Sequence, residues 1–136
     1  MAVFLDSNIV LYTLGDDSSK RSIACALLAE KPTISTQVVN ECSHVLRRKL
    51  HHSPAETGKI LMAILTSVKL IEVSIQETYI AWVIAASYKY SHFDSLIIAT
   101  ALKAGCMTLY SEDMQHGQVI DGRLTITNPF ASVNSL

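Results

Sequence analysis

Cysteine, glycine, proline and charge are all scarce in this chain, and each shortage closes off a class of protein. The three cysteines, Cys25, Cys42 and Cys106, are odd in number and form no CxxC pair. They read as reduced thiols of a cytoplasmic protein rather than as a disulfide frame or a thiolate zinc site. Five glycines and three prolines in 136 residues are too few for a fibrous or low-complexity chain. Charged residues make up 17 % and the formal net charge is −1. That balance excludes a general cationic coat for gripping nucleic acid, because such binding grows with the number of phosphates neutralised. No basic stretch followed by a long apolar one opens the sequence, so no signal peptide is expected, and no run is long and uncharged enough to span a membrane.

What is present is apolar: 49 % of the residues, enough to bury a real core in one domain over residues 1–136. The surplus fits either a well-filled interior or an apolar surface kept for a partner or a second copy. Apolar runs of strand length alternate with stretches of helical period, which predicts an α/β fold with a largely parallel sheet. Strands are expected at Ala2 to Leu5, Thr33 to Ser35, Leu70 to Val73 and Cys106 to Tyr110. Helices are expected from about Ile9, from Ser19 to Glu30, from Gln37 to Leu50, and from the cap Ser53-Pro54-Ala55-Glu56 to about Val68. Ser53 and Glu56 have capping-box spacing, as do Ser74 and Glu77 ahead of the next helix. A further helix runs from Phe93 to Ala104 and stops at Gly105. Asp121-Gly122 between apolar flanks predicts a hairpin turn into a last strand.

Ligands of open α/β sheets gather at the carboxyl ends of the strands, and four acids map there. Asp6 ends the first strand, Glu41 lies in the early turns of the helix after the second, Asp94 starts its helix, and Asp113 follows the fourth strand. Each has an ordinary explanation: Asp6 as a helix cap, Asp94 as an acid at the positive end of a helix, Glu41 as a solvated helix residue, Asp113 as a turn residue. Together they point to a cation, because two carboxylates about 4 Å apart repel by roughly 4 kcal/mol at an effective dielectric near 20. Oxygen ligands without Cys or His spacing favour Mg²⁺ or Mn²⁺ over zinc. A metal so held activates a water for attack on a phosphodiester.

The stretches Phe4-Leu5-Asp6-Ser7-Asn8, Gln37-Val38-Val39-Asn40-Glu41, His92-Phe93-Asp94-Ser95-Leu96-Ile97-Ile98-Ala99 with Ala104-Gly105-Cys106, Leu109 through Gln115, and Asn128-Pro129-Phe130 run in order along nearly the whole chain. In these the sequence resembles PIN-domain ribonucleases, specifically the VapC-like toxins of toxin-antitoxin pairs. The resemblance implies a three-layer α/β/α sandwich with a central, mostly parallel sheet. It also implies a Mg²⁺-dependent endoribonuclease in which Asp6, Glu41, Asp94 and Asp113 bind the metal. Asn8 and Ser111 sit where the family often carries supporting polar residues, and equally fit turn and capping roles. Glu112 is expected to point away from Asp113. Arg47, Arg48 and Lys49 form the densest basic cluster, either complementing a helix C-terminus or contacting RNA phosphate. His116 is either an RNA contact or an ordinary exposed histidine. The implied partners are an RNA substrate, a VapB-like antitoxin that lays a tail across an apolar groove and a basic side chain among the carboxylates, and a second copy in a homodimer.

Two other readings remain open at this level. A catalytically weak PIN module serving RNA binding or scaffolding would usually have lost part of the acidic quartet. An aspartyl phosphotransferase with Asp6 as nucleophile predicts a second aspartate two positions on, where this chain has Asn8.

Overall fold

The structure is a computed structural model and describes residues 2–134. The chain opens with strand β1 (Val3–Leu5), helices α1 (Ser7–Tyr12) and α2 (Ser18–Ala29), and strand β2 (Thr33–Ser35). Helices α3 (Thr36–Arg48) and α4 (Pro54–Leu65) lead to β3 (Lys69–Ile71), and α5 (Ile75–Tyr88) and α6 (His92–Lys103) lead to β4 (Thr108–Tyr110). The hairpin β5 (Val119–Ile120) and β6 (Leu124–Thr127) and a last turn of helix, α7 (Ala131–Asn134), complete it.

The strands form one sheet in the order β3-β2-β1-β4-β6-β5. Every pairing is parallel except β5 with β6. Phe4 registers with Thr33 on one side and Leu109 on the other, so β1 is central. Phe4 and Leu5 are both fully buried, as a strand covered on both faces requires, which is why β1 reads as an unbroken apolar run. The chain steps from β1 through β2 to β3 by way of α1 to α4 and returns to β4 by way of α5 and α6, and the right-handed rule for parallel crossovers assigns these two groups of helices to opposite faces. Eight consecutive residues of α6, Ser95 to Leu102, are buried, because this helix lies between the sheet and α5 and has little solvent side.

Local signals set several boundaries. Ser53 Oγ accepts from Glu56 N (3.1 Å) while Ser53 N donates to Glu56 Oε1 (2.9 Å), a complete capping box ahead of Pro54. Helix α6 ends in a Schellman motif: Gly105 N reaches Leu102 O (3.0 Å), Cys106 N reaches Ala101 O (3.1 Å), and Gly105 takes φ +75°, which only glycine adopts cheaply. At the β5–β6 turn, Asp121 and Gly122 have φ of 51° and 64°, as a type I′ hairpin demands.

Several boundaries differ from expectation: β1 starts at Val3 rather than Ala2, α4 ends at Leu65 rather than near Val68, and β4 starts at Thr108 rather than Cys106. Helix α1 starts at Ser7 because Asp6 caps it, so the polar pair Ser7-Asn8 is helical. Strand β3 ends at Ile71, matching its three-residue pairing with β2. At Ser74 the capping box does not form: its hydroxyl donates to the Glu77 carboxylate and no side-chain bond reaches the helix backbone. Glu77 is only 3 % exposed and pairs with Lys103 Nζ at 3.3 Å. Its Oε2 is thus shared between the Ser74 hydroxyl and Lys103 of α6 instead of accepting the Ser74 backbone N–H.

Candidate functional site

Parallel strands send all their carboxyl ends to one rim, and the four acids lie along it. Asp6 follows β1 directly and caps α1, its Oδ1 accepting from Ser7 N at 2.7 Å. Glu41 is reached through α3, which starts where β2 ends, capped by Ser35 Oγ accepting from Val38 N (3.3 Å). Asp94 lies in the first turn of α6, where Ser91 Oγ accepts its backbone N–H (3.2 Å). Asp113 stands just past β4. The structural readings of Asp6 as a cap and Asp94 as an acid at a helix start therefore hold alongside the shared placement.

Two of the supporting residues knit this rim together. Ser111, fully buried, donates from Oγ to Asp6 Oδ2 at 2.8 Å and accepts from Asp113 N at 3.2 Å. Asn8 Nδ2 donates to Asp113 Oδ2 (3.0 Å) and to Asp6 Oδ2 (3.4 Å), while its Oδ1 accepts from Glu112 N (3.2 Å). One amide thus spans two carboxylates, one two residues before it and the other 105 residues after it. Glu112 points away, to Lys20 Nζ (2.5 Å) and the Tyr12 hydroxyl (2.6 Å). The Lys20 ammonium also lies 5.0 Å from the Tyr12 ring centre and 5.4 Å from that of Phe130.

Gln37 is the functional neighbour that residue type alone did not single out. Its Nε2 donates to Glu41 Oε2 (3.2 Å) and to the Phe93 carbonyl (3.0 Å), tying α3 to the first turn of α6. The spacing of four between Gln37 and Glu41 puts both on one helix face and was the available signal. The bond to Phe93 depends on how α3 meets α6, which no local pattern encodes.

The acids feel one another. Burial pushes the Asp6 carboxyl up to about 6 against the lowering pull of its bonds from Ser111 and Ser7, and the charges of Glu41 and Asp94 push the same way. Asp94 is raised by burial and then by Asp113. Burial, then the charges of Glu41 and Asp6, push the Cys42 thiol up to about 12, so that cysteine is an inert packing residue. Among the described residues none of the four acids is in an ion pair. Their side-chain partners, Ser7, Asn8, Gln37 and Ser111, are neutral.

Among the described residues, no three His, Cys, Asp or Glu side chains close on one point tightly enough to hold an ion unaided. The rim is an open, all-oxygen donor set with uncompensated negative charge. That suits a hard cation which keeps several of its waters and does not suit one needing a closed four-ligand cage.

The basic cluster stands apart. Arg47 and Arg48 occupy the last turn of α3 and Lys49 its C-cap, so Arg48 is about 10 Å of helix rise beyond Glu41. Arg47 lines a groove between α3 and α4 with Asn40, Ser43 and Thr57. His116 is exposed, with its Nδ1 accepting from Asn128 N at 2.9 Å.

Two clefts flank the rim. One, of about 370 Å³, is lined by Asn8, Leu11, Tyr12, Gly15, Glu112 and Asp113. The other, of about 480 Å³, is lined by Gln37, Asn40, Glu41, His44, Val45 and Phe93. Helix α5 carries a separate exposed apolar stripe of Ile75, Tyr79, Trp82 and Val83.

The profile of the PIN domain family matches residues 3–120. No curated protein matches the chain. Among solved structures, a toxin-antitoxin complex from Klebsiella pneumoniae is similar at 23 % identity, covering 95 % of this chain and 98 % of that one with a TM-score of 0.69. VapBC2 from Rickettsia felis, bound to a DNA fragment from its promoter, is 20 % identical over 94 % and 100 % of the two chains, TM-score 0.66. Mycobacterium tuberculosis VapC20, a toxin that cleaves the sarcin-ricin loop, is 20 % identical over 82 % and 92 %, TM-score 0.67.

Proposed function

The chain belongs to the PIN domain family, and from that premise we propose that it is a Mg²⁺- or Mn²⁺-dependent endoribonuclease, the toxin of a VapBC-type pair. The observation that carries the reading is the rim of mutually coupled carboxylates at the sheet's carboxyl edge, without an ion pair among the described residues. Asp6, Glu41, Asp94 and Asp113 are the residues that would hold the ion. Bound there, it would supply charge neutralisation at the phosphodiester and a water of lowered pKa.

The chain's own groups prepare that chemistry. Ser111 and Asn8 fix the Asp6 carboxylate between them, and Asn8 holds Asp113 at a set separation from it. Gln37 fixes Glu41 on the opposite side. A site positioned this way needs little reorganisation when charge develops on the phosphate. Because the four acids repel a bare phosphate, cutting would depend strictly on the cation.

RNA is the expected substrate, and the protein would work in the cytoplasm. Among the described residues no helix is long and apolar enough to cross a membrane. The likeness to a toxin-antitoxin complex and to VapBC2 supports a VapB-like antitoxin as the controlling partner. The apolar stripe on α5 supports a homodimer with that face between the copies.

The test is cleavage of total RNA with Mg²⁺ or Mn²⁺, beside chelator and Asp6→Asn. Cutting that vanishes in both controls supports the reading, and undiminished cutting in either removes it.

A further inference from the structure

The Phe93 side chain is 63 % exposed, yet it belongs to the turn that carries Asp94, and it shares a cleft with Glu41. Resting on the nuclease reading, we propose that this cleft is a subsite for the unpaired nucleobase next to the scissile phosphate, with the Phe93 ring as its stacking surface.

Position is the first argument. A phosphate held at the carboxylates has its nucleosides immediately to either side, and the two clefts beside the rim are walled by Glu41 and by Asp113. Charge is the second. Among the described residues no lysine or arginine lines the Phe93 cleft, so it offers a phosphate no permanent positive charge, whereas a base is uncharged and presents a π-face that aromatic rings bind whatever its identity. Asn40 and His44 in the same cleft supply hydrogen-bonding groups for the edge of such a base.

Fixity is the third. Gln37 Nε2 bonds the Phe93 carbonyl and the Glu41 carboxylate together, and the His92 ring meets Phe93 edge to face at 5.2 Å and 75°. The backbone that carries the ring is therefore tied to Glu41 before substrate arrives. Tyr12 in the opposite cleft is less free, its hydroxyl committed to Glu112 and its ring to Phe130 at 4.9 Å and 72°. A second copy of the chain has a larger apolar surface to use on α5.

The experiment begins by mapping the cut made by wild-type protein, then places 2-aminopurine at successive positions of a short single-stranded RNA around it. Binding is followed on Asp113→Asn protein, with and without Phe93→Ala or Phe93→Trp. The expected result is fluorescence quenching at one position flanking the cut, lost in Phe93→Ala and restored by Phe93→Trp, with KM for cleavage by Phe93→Ala raised about tenfold. Cleavage by Phe93→Ala with unchanged KM and unchanged quenching would overturn the subsite while leaving the nuclease intact. So would conversion of a dimer to a monomer by Phe93→Ala in light scattering, which assigns the cleft to a second copy. Wild-type protein that cuts no RNA with either metal overturns the nuclease reading itself, and the subsite with it.

Discussion

With its carboxyl pushed up to about 6 by burial, Asp6 costs the folded protein stability whenever it carries its charge. The folded value lies above the ordinary 3.8, so the folded state holds the proton more tightly. The stability gained is fully present below about pH 4 and is lost as pH rises through 6, a change on the order of 3 kcal/mol for about two pH units. Metal-free wild-type protein should therefore melt higher at pH 5 than at pH 7.5, and Asp6→Asn should flatten that difference. Mn²⁺ should raise the melting temperature more at pH 7.5 than at pH 5, since protons compete for the same oxygens. An equal pH response in Asp6→Asn would show that the charge strain lies elsewhere. Gln37 invites a rate measurement instead. On the proposed reading of Glu41 as a metal ligand, removing its bond by Gln37→Ala should lower activity about 10- to 100-fold, with little change in melting temperature.

Helix α4 and helix α5 begin with the same spacing, Ser-x-x-Glu, and only one of them forms the box. Ser53→Ala should cost about 1 kcal/mol in chemical denaturation, because a backbone N–H loses its acceptor. Ser74→Ala removes no such bond and acts only through Glu77. The contrast marks what local sequence can carry. Ser53 and Glu56 are surface neighbours, and the other partner of Glu56, His52 at 3.8 Å, is only four residues away; the Asp121-Gly122 turn is as local. Glu77 answers to Lys103, 26 residues away, and its carboxylate goes where tertiary packing takes it. The site divides the same way. The placement of Asp6, Glu41 and Asp113 along one rim was legible because each stands at or soon after a strand end and parallel strands share that rim; Asp94 follows no strand and is placed there by starting the helix that leads into β4. The Asn8 span between Asp6 and Asp113, and the Gln37 bond to Phe93, depend on the packing of α1 against the loop after β4 and of α3 against α6.

At the scale of the whole molecule, the apolar surplus noted in the composition fills the interior and also reaches the surface, where Ile75, Tyr79, Trp82 and Val83 gather on one face of α5. Trp82 and Tyr79 lie on that face with ring centres 5.8 Å apart, and both are more than half exposed. Trp82→Glu should convert a dimer to a monomer in sedimentation without lowering the melting temperature by more than a degree or two, since the side chain contributes little to the core. A dimer that survives this change uses a different face.

Lys20, Tyr12, Glu112 and Phe130 draw the second helix, the first helix, the loop after β4 and the fully buried tail residue into one knot. The loop so fastened is the one that carries Ser111 and Asp113. Phe130→Ala would loosen this fastening from behind, freeing the loop while every acidic side chain stays chemically intact. A single ring far along the chain from Asp6 therefore helps hold the rim in shape without taking any part in the cleft.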